Sequence, residues 1–287
     1  MNKFLLTLAA WAARILPVPV QQAIYKSRPL ARWIRRGLNR AAPRGIVAVK
    51  VAGGDLAGQT VLLDMQIDKD YWLGTYEREL QAAIRELVHP GAIVYDVGAN
   101  IGYISLLLAK ACGETGQVYA FEALPDNAER WQKNIDLNGL GKQVCLFNGA
   151  VTQAAGRVNF LVHDSGGMGK VAGSAGRADH YKSELSVEGI SLDEFAYEQG
   201  HPVPQVVKMD IEGGEVLALP GMARLLAEAR PLLLMELHGQ DSSRAAWERL
   251  TGAGYKLCWM RRGYPPIPAL DEMGWKAYIV AFPPSAP

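Results

Sequence analysis

The sequence is poor in cysteine, has no acidic residue before Asp55 and contains no long apolar run. Its three cysteines, Cys112, Cys145 and Cys258, lie far apart without a Cys-x-x-Cys pair, which excludes a disulfide scaffold and a thiolate zinc site and predicts a reducing compartment. The longest apolar runs fall short of the roughly 18 residues that a spanning helix needs, so we expect no membrane crossing. With 49% apolar and 21% charged residues, the 287-residue chain has a globular composition, which excludes disordered, collagen-like and coiled-coil proteins.

Ten of the 30 basic residues, and none of the 29 acidic residues, precede Asp55, so a basic arm leads into an acidic body. An apolar stripe at helical spacing runs through this arm: Phe4, Leu8, Trp11 and Ile15. We predict that residues 1–45 form a basic amphipathic helical arm with an anionic partner. Two interpretations stay open: residues 1–44 contact a membrane surface peripherally, or the helices dock on the acidic body. A signal peptide with residues 4–13 as its apolar region fits less well, because Arg14 closely follows the apolar run.

We predict that residues 46–90 form a β-hairpin and a helix that lead into the main domain. Two β-rich runs flank a glycine cluster and predict a hairpin, and a helical pattern follows that stops at Pro90-Gly91. The β-rich runs are 46–51 and 60–64, and the helical run is 74–88. We therefore place the core domain at residues 91–287.

Strand-like runs alternate with helical patterns throughout the core domain. The predicted strands are 92–97, 117–122, 143–147, 205–210, 231–237, 255–260 and 276–282. The predicted helices are 101–112, 125–138, 214–229 with an interruption at Pro220-Gly221, and one that Asp241 or Ser242 caps and that runs through Leu250. This alternation predicts an α/β, Rossmann-like fold with a mostly parallel seven-stranded sheet, and the last two strands predict a terminal antiparallel hairpin. The irregular residues 152–200 predict an inserted hairpin and loop.

The loop after the first strand of this domain has the features of a nucleotide-binding turn. Gly98 and Gly102 allow a tight turn into a helix, and ligands in such folds lie beyond the carboxyl ends of the strands, at a helix N-terminus. Glu122 ends the next strand, where a carboxylate can hydrogen-bond both ribose hydroxyls. Asn100 stands where a dinucleotide site needs a third glycine, and the acid Asp96 before the loop suits a cationic ligand. Because S-adenosylmethionine has an ammonium, a sulfonium and a ribose diol, these residues favour it over NAD.

Five ionisable residues follow the ends of two later strands. Lys208, Asp210 and Glu212 are spaced by two, so they share one face while the chain stays extended, and Glu236 and His238 repeat the pattern on the neighbouring strand. Asp210 and His238 are both candidates for the general base of a methyl transfer. Lys208 is a candidate for lowering the pKa of the acceptor hydroxyl. Glu212 is a candidate for orienting either the base or Lys208. Alternatively, the carboxylates and the histidine hold a divalent cation. An ion pair of Lys208 and Glu212 without catalytic role also stays open.

Weaker candidates lie outside this group. His163 and His180 fall in the insert, where they are candidates for lining an acceptor pocket, although histidines in loops are commonly just solvated. Tyr264 lies in a proline-rich loop and is a candidate for stacking on a sugar.

Several segments of the chain resemble the FkbM family of methyltransferases, within the class I S-adenosylmethionine-dependent fold. They are YDVGANIGYISLLLAK (95–110), YAFEALPDNAERWQKNIDLNGL (119–140), ISLDEF (190–195), VVKMDIEGGEVLALPGM (206–222) and RPLLLMELHG (230–239). TYEREL (75–80) is similar to that family's Tyr-Glu element, whereas Ala123 departs from it, because a proline commonly follows the acid. The resemblance covers about residues 70–240. It implies O-methyl transfer, often onto hydroxyls of sugars or natural products, without identifying the acceptor.

We therefore predict a cytoplasmic S-adenosylmethionine-dependent O-methyltransferase that acts on a glycan or natural product, with residues 1–44 available for peripheral contact with the inner face of a membrane. The predicted cofactor-binding residues are Tyr76, Glu77, Asp96, Gly98, Asn100, Gly102, Glu122, Ala123, Asn148, Ala150 and Asp210. The alternatives are an RNA methyltransferase and a non-catalytic partner protein of the same fold. Nucleic acid is disfavoured because the body is acidic and because a polar-Pro-Pro-aromatic tetrapeptide, typical of enzymes that methylate base amines, is missing from the sequence.

Overall fold

The computed structural model describes residues 2–15, 20, 24, 27–164, 167–178 and 180–284. Two compact units make up the chain. The first comprises Met1–Arg78 with Asp136–Asn138, and the second comprises Glu79–Ile135 with Gly139–Pro287.

The first unit consists of helices and one hairpin. Its elements are α1 (Asn2–Ile15), α2 (Arg28–Ala41), β1 (Ile46–Lys50), β2 (Thr60–Asp64) and α3 (Lys69–Leu73). β1 and β2 pair antiparallel, with Ile46 opposite Asp64, which is the hairpin that the two β-rich runs predict. Val61 and Leu63 of β2 are both buried. They lie on the same face of the hairpin, because alternate residues of a strand point to the same side.

The helices α1 and α2 lie in the basic arm. Leu8, Trp11 and Ile15 of the predicted stripe are exposed on α1, while the side chain of Phe4 lies outside the described residues. Among the described helices, none combines the length and the apolar composition needed to cross a membrane.

The second unit alternates strands and helices. In chain order, its elements are α4 (Arg78–Leu87), β3 (Ile93–Val97), α5 (Tyr103–Cys112), β4 (Gln117–Phe121), α6 (Pro125–Leu137), β5 (Val144–Phe147), β6 (Ala150–Val151), β7 (Gly156–His163), β8 (Gly169–Val171), β9 (Tyr181–Ile190), β10 (Val206–Met209), α7 (Glu215–Ala218), β11 (Leu232–His238), α8 (Gln240–Gly252), β12 (Lys256–Trp259) and β13 (Lys276–Phe282). Arg78, the first residue of α4, and Asp136 and Leu137, the last two residues of α6, belong to the first unit.

The main sheet has seven strands in the order β12-β13-β11-β10-β3-β4-β5. β13 runs antiparallel to β11 and β12, and the other pairs are parallel, which confirms the predicted sheet with its terminal hairpin. β3 lies between β10 and β4, so the strand order reverses beside it. Ligands of such sheets bind in the crevice at this reversal, beyond the carboxyl ends of the strands.

Strands in the middle of the sheet are apolar because helices cover both of their faces. All four residues of β10 are buried, including Lys208. On one face, the rings of Tyr95, Phe121 and Phe195 pack edge-on or tilted, with centroids 4.8–5.5 Å apart. This core supports the strand ends that carry the ionisable residues.

The insert is larger than the predicted hairpin and loop. Its three strands, together with β6 directly before it, form a separate four-stranded sheet in the order β6-β9-β7-β8. A short π-helix follows over Glu194–Glu198. Phe160, Val162, Val171 and Val187 are buried on one side of this sheet, next to Leu124. The prediction missed β6 and β8 because strands of two or three residues show no period of their own.

Two predicted helices also differ from the structure. The helical pattern over 214–229 becomes α7, a 3-10 turn over Leu219–Met222 and a π-helix over Leu225–Ala229, since Pro220 lacks the N–H that a continuous helix requires. The prediction that Asp241 or Ser242 caps the next helix was wrong. The N-cap is Gly239, whose carbonyl accepts a hydrogen bond from the Ser243 N–H at 3.1 Å.

Candidate functional site

The loop after β3 approaches the end of β10 closely. Gly98 has a φ of 80°, and a Cβ on it would lie 1.9 Å from the backbone oxygen of Asp210, so only glycine fits there. Asn100 also has a left-handed backbone, with a φ of 49°. Such strain is common where a loop is shaped for a ligand. The loop therefore holds its backbone beside the residue that follows β10.

Asp96 and Lys208 tie the two neighbouring strands together beneath this loop. The Asp96 carboxylate is fully buried, accepts a hydrogen bond from the Ser105 hydroxyl at 2.6 Å and pairs with the Lys208 ammonium at 3.1 Å. Lys208 also donates to the carbonyl oxygen of Gly98 at 2.7 Å. Both charged groups thus position the Gly98 loop. The Lys208 ammonium points to Asp96 on the adjacent strand and to Gly98.

Glu122 binds the same loop from the end of β4. Its Oε2 accepts a hydrogen bond from the Asn100 N–H at 2.8 Å, and its Oε1 accepts one from the Leu124 N–H at 2.8 Å. The Asn148 side chain donates to the carbonyl of Glu122 at 2.7 Å. Burial raises the pKa of Glu122, while the hydrogen bonds from Leu124 and Asn100 and the charge of Lys208 oppose this rise. A buried carboxylate at this place suits a ligand that donates hydrogen bonds.

Four carboxylates surround His238 at the ends of β10 and β11. The His238 Nε2 lies 2.8 Å from Glu236 and 3.7 Å from Glu212. Its Nδ1 lies 3.6 Å from Glu215 and 3.8 Å from Asp210. Of the five residues predicted for this rim, Asp210, Glu212 and Glu236 therefore lie around the imidazole of the fourth, His238, whereas Lys208 does not. One ligand atom each of Asp210, Glu236 and His238 lies within 4.8 Å of the others.

The carboxylates determine the charge of the histidine. Burial alone would lower the pKa of His238, but the carboxylates of Glu215 and Glu236, with the charges of Asp210 and Glu212, raise it to about 10. Burial would raise the pKa of Glu236, but His238 and Lys276, which form ion pairs with it, lower it instead. Without a bound cation, these carboxylates therefore favour the protonated form of the His238 imidazole at neutral pH.

A loop of the insert lies against this rim. The Ala175 N–H donates to the carbonyl oxygen of Gly213 at 3.0 Å, and a Cβ on Gly213 would lie 2.2 Å from the Ala175 oxygen. The Trp275 ring stands edge-on to His238 with centroids 6.2 Å apart, and the Arg177 guanidinium lies 5.7 Å from the Trp275 centroid. An aromatic ring and a cation thus flank the carboxylate cluster.

The other predicted site residues occupy varied places. Ala123 and Ala150 are buried close to the end of β4 and in β6. Tyr76 and Glu77 belong to the first unit, where the Tyr76 ring stacks on Tyr71 with centroids 4.1 Å apart. Their role in binding a cofactor stays a prediction.

The weaker candidates lie in other surroundings. His163 and His180 approach each other in the insert, with ring centroids 6.2 Å apart, and His180 lies 3.9 Å from Asp164. The Tyr264 hydroxyl donates a hydrogen bond to Glu86 at 2.6 Å.

Sequence reasoning missed several residues of this region. Glu215 is fully buried, and its carboxylate accepts hydrogen bonds from the Ile211 N–H at 3.2 Å and the Ser242 hydroxyl at 2.8 Å. The sequence did contain a signal for Glu215, because it lies three residues after Glu212 at the start of a predicted helix. Trp275 and Arg177 gave no such signal, because each lies far in sequence from the strand ends.

The sheet order, the glycine loop at its reversal and the acid that ends the second strand together define a class I methyltransferase fold. The family model described as Methyltransferase FkbM domain matches residues 96–257, which is more than half of the chain. The chain belongs to the FkbM family of methyltransferases.

Similar proteins include curated enzymes and solved structures. The chain is 26% identical over 187 residues to the hexuronic acid methyltransferase AglP of Haloferax volcanii, covering 64% of this chain and 73% of that protein. A shorter stretch of 50 residues is 46% identical to a protein-L-isoaspartate O-methyltransferase of Aeropyrum pernix, covering 17% of this chain and 19% of that one.

Two solved structures resemble the fold. An FkbM methyltransferase from Methylobacillus flagellatus has a TM-score of 0.44 at 16% identity, over 76% of this chain. The chain spans 53% of the length of that protein. An S-adenosylmethionine-dependent O-methyltransferase from Thermotoga maritima has a TM-score of 0.44 at 10% identity, over 86% of this chain and 80% of that one.

Proposed function

We propose that the protein transfers a methyl group from S-adenosylmethionine to a hydroxyl of a sugar or natural product. The observation that carries this proposal is the placement of Asp210, whose backbone oxygen touches the Gly98 loop and whose carboxylate borders the cluster around His238. A cofactor held on that loop would present its methyl group towards the end of β10. Asp210 would then stand between cofactor and acceptor.

The proposed reaction is an in-line displacement. The acceptor hydroxyl gives its proton to the Asp210 carboxylate as its oxygen forms a bond to the methyl carbon. The bond between carbon and sulfur breaks, and its electron pair returns the sulfonium to a neutral thioether. The products are a methyl ether and S-adenosylhomocysteine.

Asp210 is a better base than His238 in this reaction. A base must be unprotonated before it acts, and His238 carries a proton at neutral pH because the surrounding carboxylates raise its pKa to about 10. The imidazolium instead orients the carboxylates on both sides of it. Of the two candidates that the sequence leaves open, the proposal therefore assigns the role of the base to Asp210.

The cofactor would lie between the Gly98 loop and Glu122. Glu122 is buried and already accepts hydrogen bonds from the Asn100 N–H, the Leu124 N–H and, at 3.4 Å, the Asn127 side chain. One acceptor position of the carboxylate is left for a ribose hydroxyl, and the second hydroxyl would take the place of the long Asn127 contact. Carboxylate acceptors form hydrogen bonds about twice as strong as neutral ones.

A sugar acceptor is supported by the surroundings of the rim. Trp275, 44% exposed, offers a flat apolar surface next to His238, and Arg177 offers a cation next to Trp275. An aromatic ring can cover a sugar face, and a guanidinium can bind a carboxylate or phosphate in two places. The relative from Haloferax volcanii is named for a hexuronic acid, which has both a ring and a carboxylate.

Incubation with S-adenosylmethionine labelled in its methyl group tests the proposal. We expect label to enter hexuronic acids and glycans that contain them, and to survive mild alkali, because alkali cleaves a methyl ester but leaves a methyl ether intact. Neutral sugars and small phenols serve as comparison acceptors. Label that alkali releases as methanol would contradict transfer to a hydroxyl, and label in RNA alone would contradict a glycan acceptor.

We also propose that the basic arm contacts an anionic membrane surface from the cytoplasmic side. Trp11 is 57% exposed on α1, and Trp33 is 75% exposed on α2. Arg32, Arg36 and Arg40 are exposed on the same helix as Trp33. Tryptophan is favoured at the interface between lipid and water, and each nearby arginine adds about 1 kcal/mol of attraction to anionic lipid.

Vesicle sedimentation of the full chain tests this contact. We expect binding to vesicles that contain phosphatidylglycerol and little binding to pure phosphatidylcholine, with a loss at high salt because salt screens the attraction. The double variant Trp11→Ser/Trp33→Ser should bind at least tenfold more weakly. Ile67→Ser is the matched control, because Ile67 is 78% exposed in the same unit. Equal sedimentation of all variants, or none with the wild type, would contradict the proposal.

A further inference from the structure

The cluster at the ends of β10 and β11 contains the ligand types of a metal site. Asp210, Glu236 and His238 each offer one ligand atom, and these three atoms lie within 4.8 Å of one another. Glu236 and His238 are buried and Asp210 is partly buried. Carboxylate and imidazole ligands together suit divalent first-row metals such as Mn²⁺ and Zn²⁺.

A second observation concerns the histidine itself. His238 is 2% exposed, and within the described residues its Nδ1 makes no hydrogen bond. The nearest carboxylate oxygens, of Glu215 at 3.6 Å and Asp210 at 3.8 Å, lie beyond hydrogen-bond distance, whereas Nε2 is engaged with Glu236 at 2.8 Å. A buried polar atom without a hydrogen bond calls for an explanation, and a bound ion is one of the usual ones.

We propose that Asp210, Glu236 and His238 bind a divalent cation. In a tetrahedral site, ligands about 2.0–2.2 Å from one ion lie about 3.3–3.6 Å apart. The present spacing of up to 4.8 Å would therefore need to close by about 1–1.5 Å. The ion would replace the proton on the imidazole, because a ligating nitrogen must be unprotonated.

The chemical role of the ion rests on the proposed methyl transfer. A cation beside Asp210 would bind the acceptor oxygen and lower the pKa of the hydroxyl, which favours loss of its proton to the Asp210 oxygen that does not bind the ion. Glu212 and Glu215, which also face His238, would keep the ligands in place by balancing the charge.

Titration of the full chain with Mn²⁺, followed by electron paramagnetic resonance, tests the site directly. We expect one saturable site in the wild type. Asp210→Asn and His238→Gln should each weaken binding at least tenfold, while Glu129→Gln should leave it unchanged, because Glu129 is an exposed partner of Lys133 on α6. Circular dichroism melting identifies any variant that has lost its fold, and the wild-type titration does not depend on the variants. No saturable site in the wild type, or equal affinity in all folded variants, would overturn the inference.

Calorimetry with S-adenosylmethionine separates this inference from the proposed function. One outcome would overturn the metal site and leave the proposed methyl transfer in place. The chain would bind S-adenosylmethionine and transfer methyl groups fully after chelation, while the titration shows no Mn²⁺ site. A Mn²⁺ site in a chain that binds no S-adenosylmethionine would support the metal site and remove the proposed function.

Discussion

Asp210→Asn is expected to lower the rate of methyl transfer by about 10²–10⁴-fold, which is the usual contribution of a general base. Asparagine keeps the size of the side chain but cannot accept the proton of the acceptor hydroxyl. The backbone oxygen that meets the Gly98 loop is unchanged, so the loop should keep its conformation. We therefore expect nearly unchanged affinity for S-adenosylmethionine.

Single-turnover transfer and cofactor calorimetry on the same preparations measure the two effects separately. Glu129→Gln is again the control, because it removes one carboxylate from an exposed helix position. The assay is run with and without a chelator, so that loss of a base is distinguished from loss of an ion. A rate within a few fold of the wild type, both with and without the chelator, would exclude Asp210 from the mechanism.

Glu122→Ala is expected to weaken S-adenosylmethionine binding by roughly tenfold to 150-fold. This range corresponds to the roughly 1.5–3 kcal/mol that hydrogen bonds to a charged group contribute. The variant removes the proposed acceptor of both ribose hydroxyls, and it also removes the partner of the Asn100 and Leu124 amides. NAD is expected not to bind to either form.

Glu122→Gln separates these two causes. Glutamine keeps one oxygen that can accept from a loop amide but loses the charge and one acceptor. We expect its affinity to fall between those of the wild type and the alanine variant, with a melting temperature close to that of the wild type. Calorimetry that gives the same affinity for all three proteins would show that Glu122 does not hold the ribose.

Local sequence patterns were sufficient for most of the sheet. The β-hairpin strand 60–64 and the last strand 276–282 were predicted with the bounds that β2 and β13 have. Both strands are short and mostly apolar, with Gly58 shortly before β2 and Pro283 directly after β13, so their signal lies within a few neighbouring residues. The position of the glycine loop followed for the same reason, since a strand, a turn and a helix are adjacent in the chain.

The grouping of carboxylates and histidine followed from one topological rule. Asp210 and Glu236 come at the ends of strands that the predicted sheet makes neighbours, and the carboxyl ends of parallel strands meet at one edge. The rule does not determine which of the side chains at this edge form contacts with each other. It therefore could not choose between Asp210 and His238 as the base.

The tertiary structure decided the partners and the charges. Lys208 pairs with Asp96 across two strands, Glu215 becomes buried beside His238, and the insert brings Arg177 to Trp275. The physical reason is that pKa and pairing depend on burial and on distances of a few ångströms between residues far apart in the chain. Sequence alone determined which chemical groups stand at each strand end, and packing of the insert and helices around them decided which groups are charged, buried and in contact.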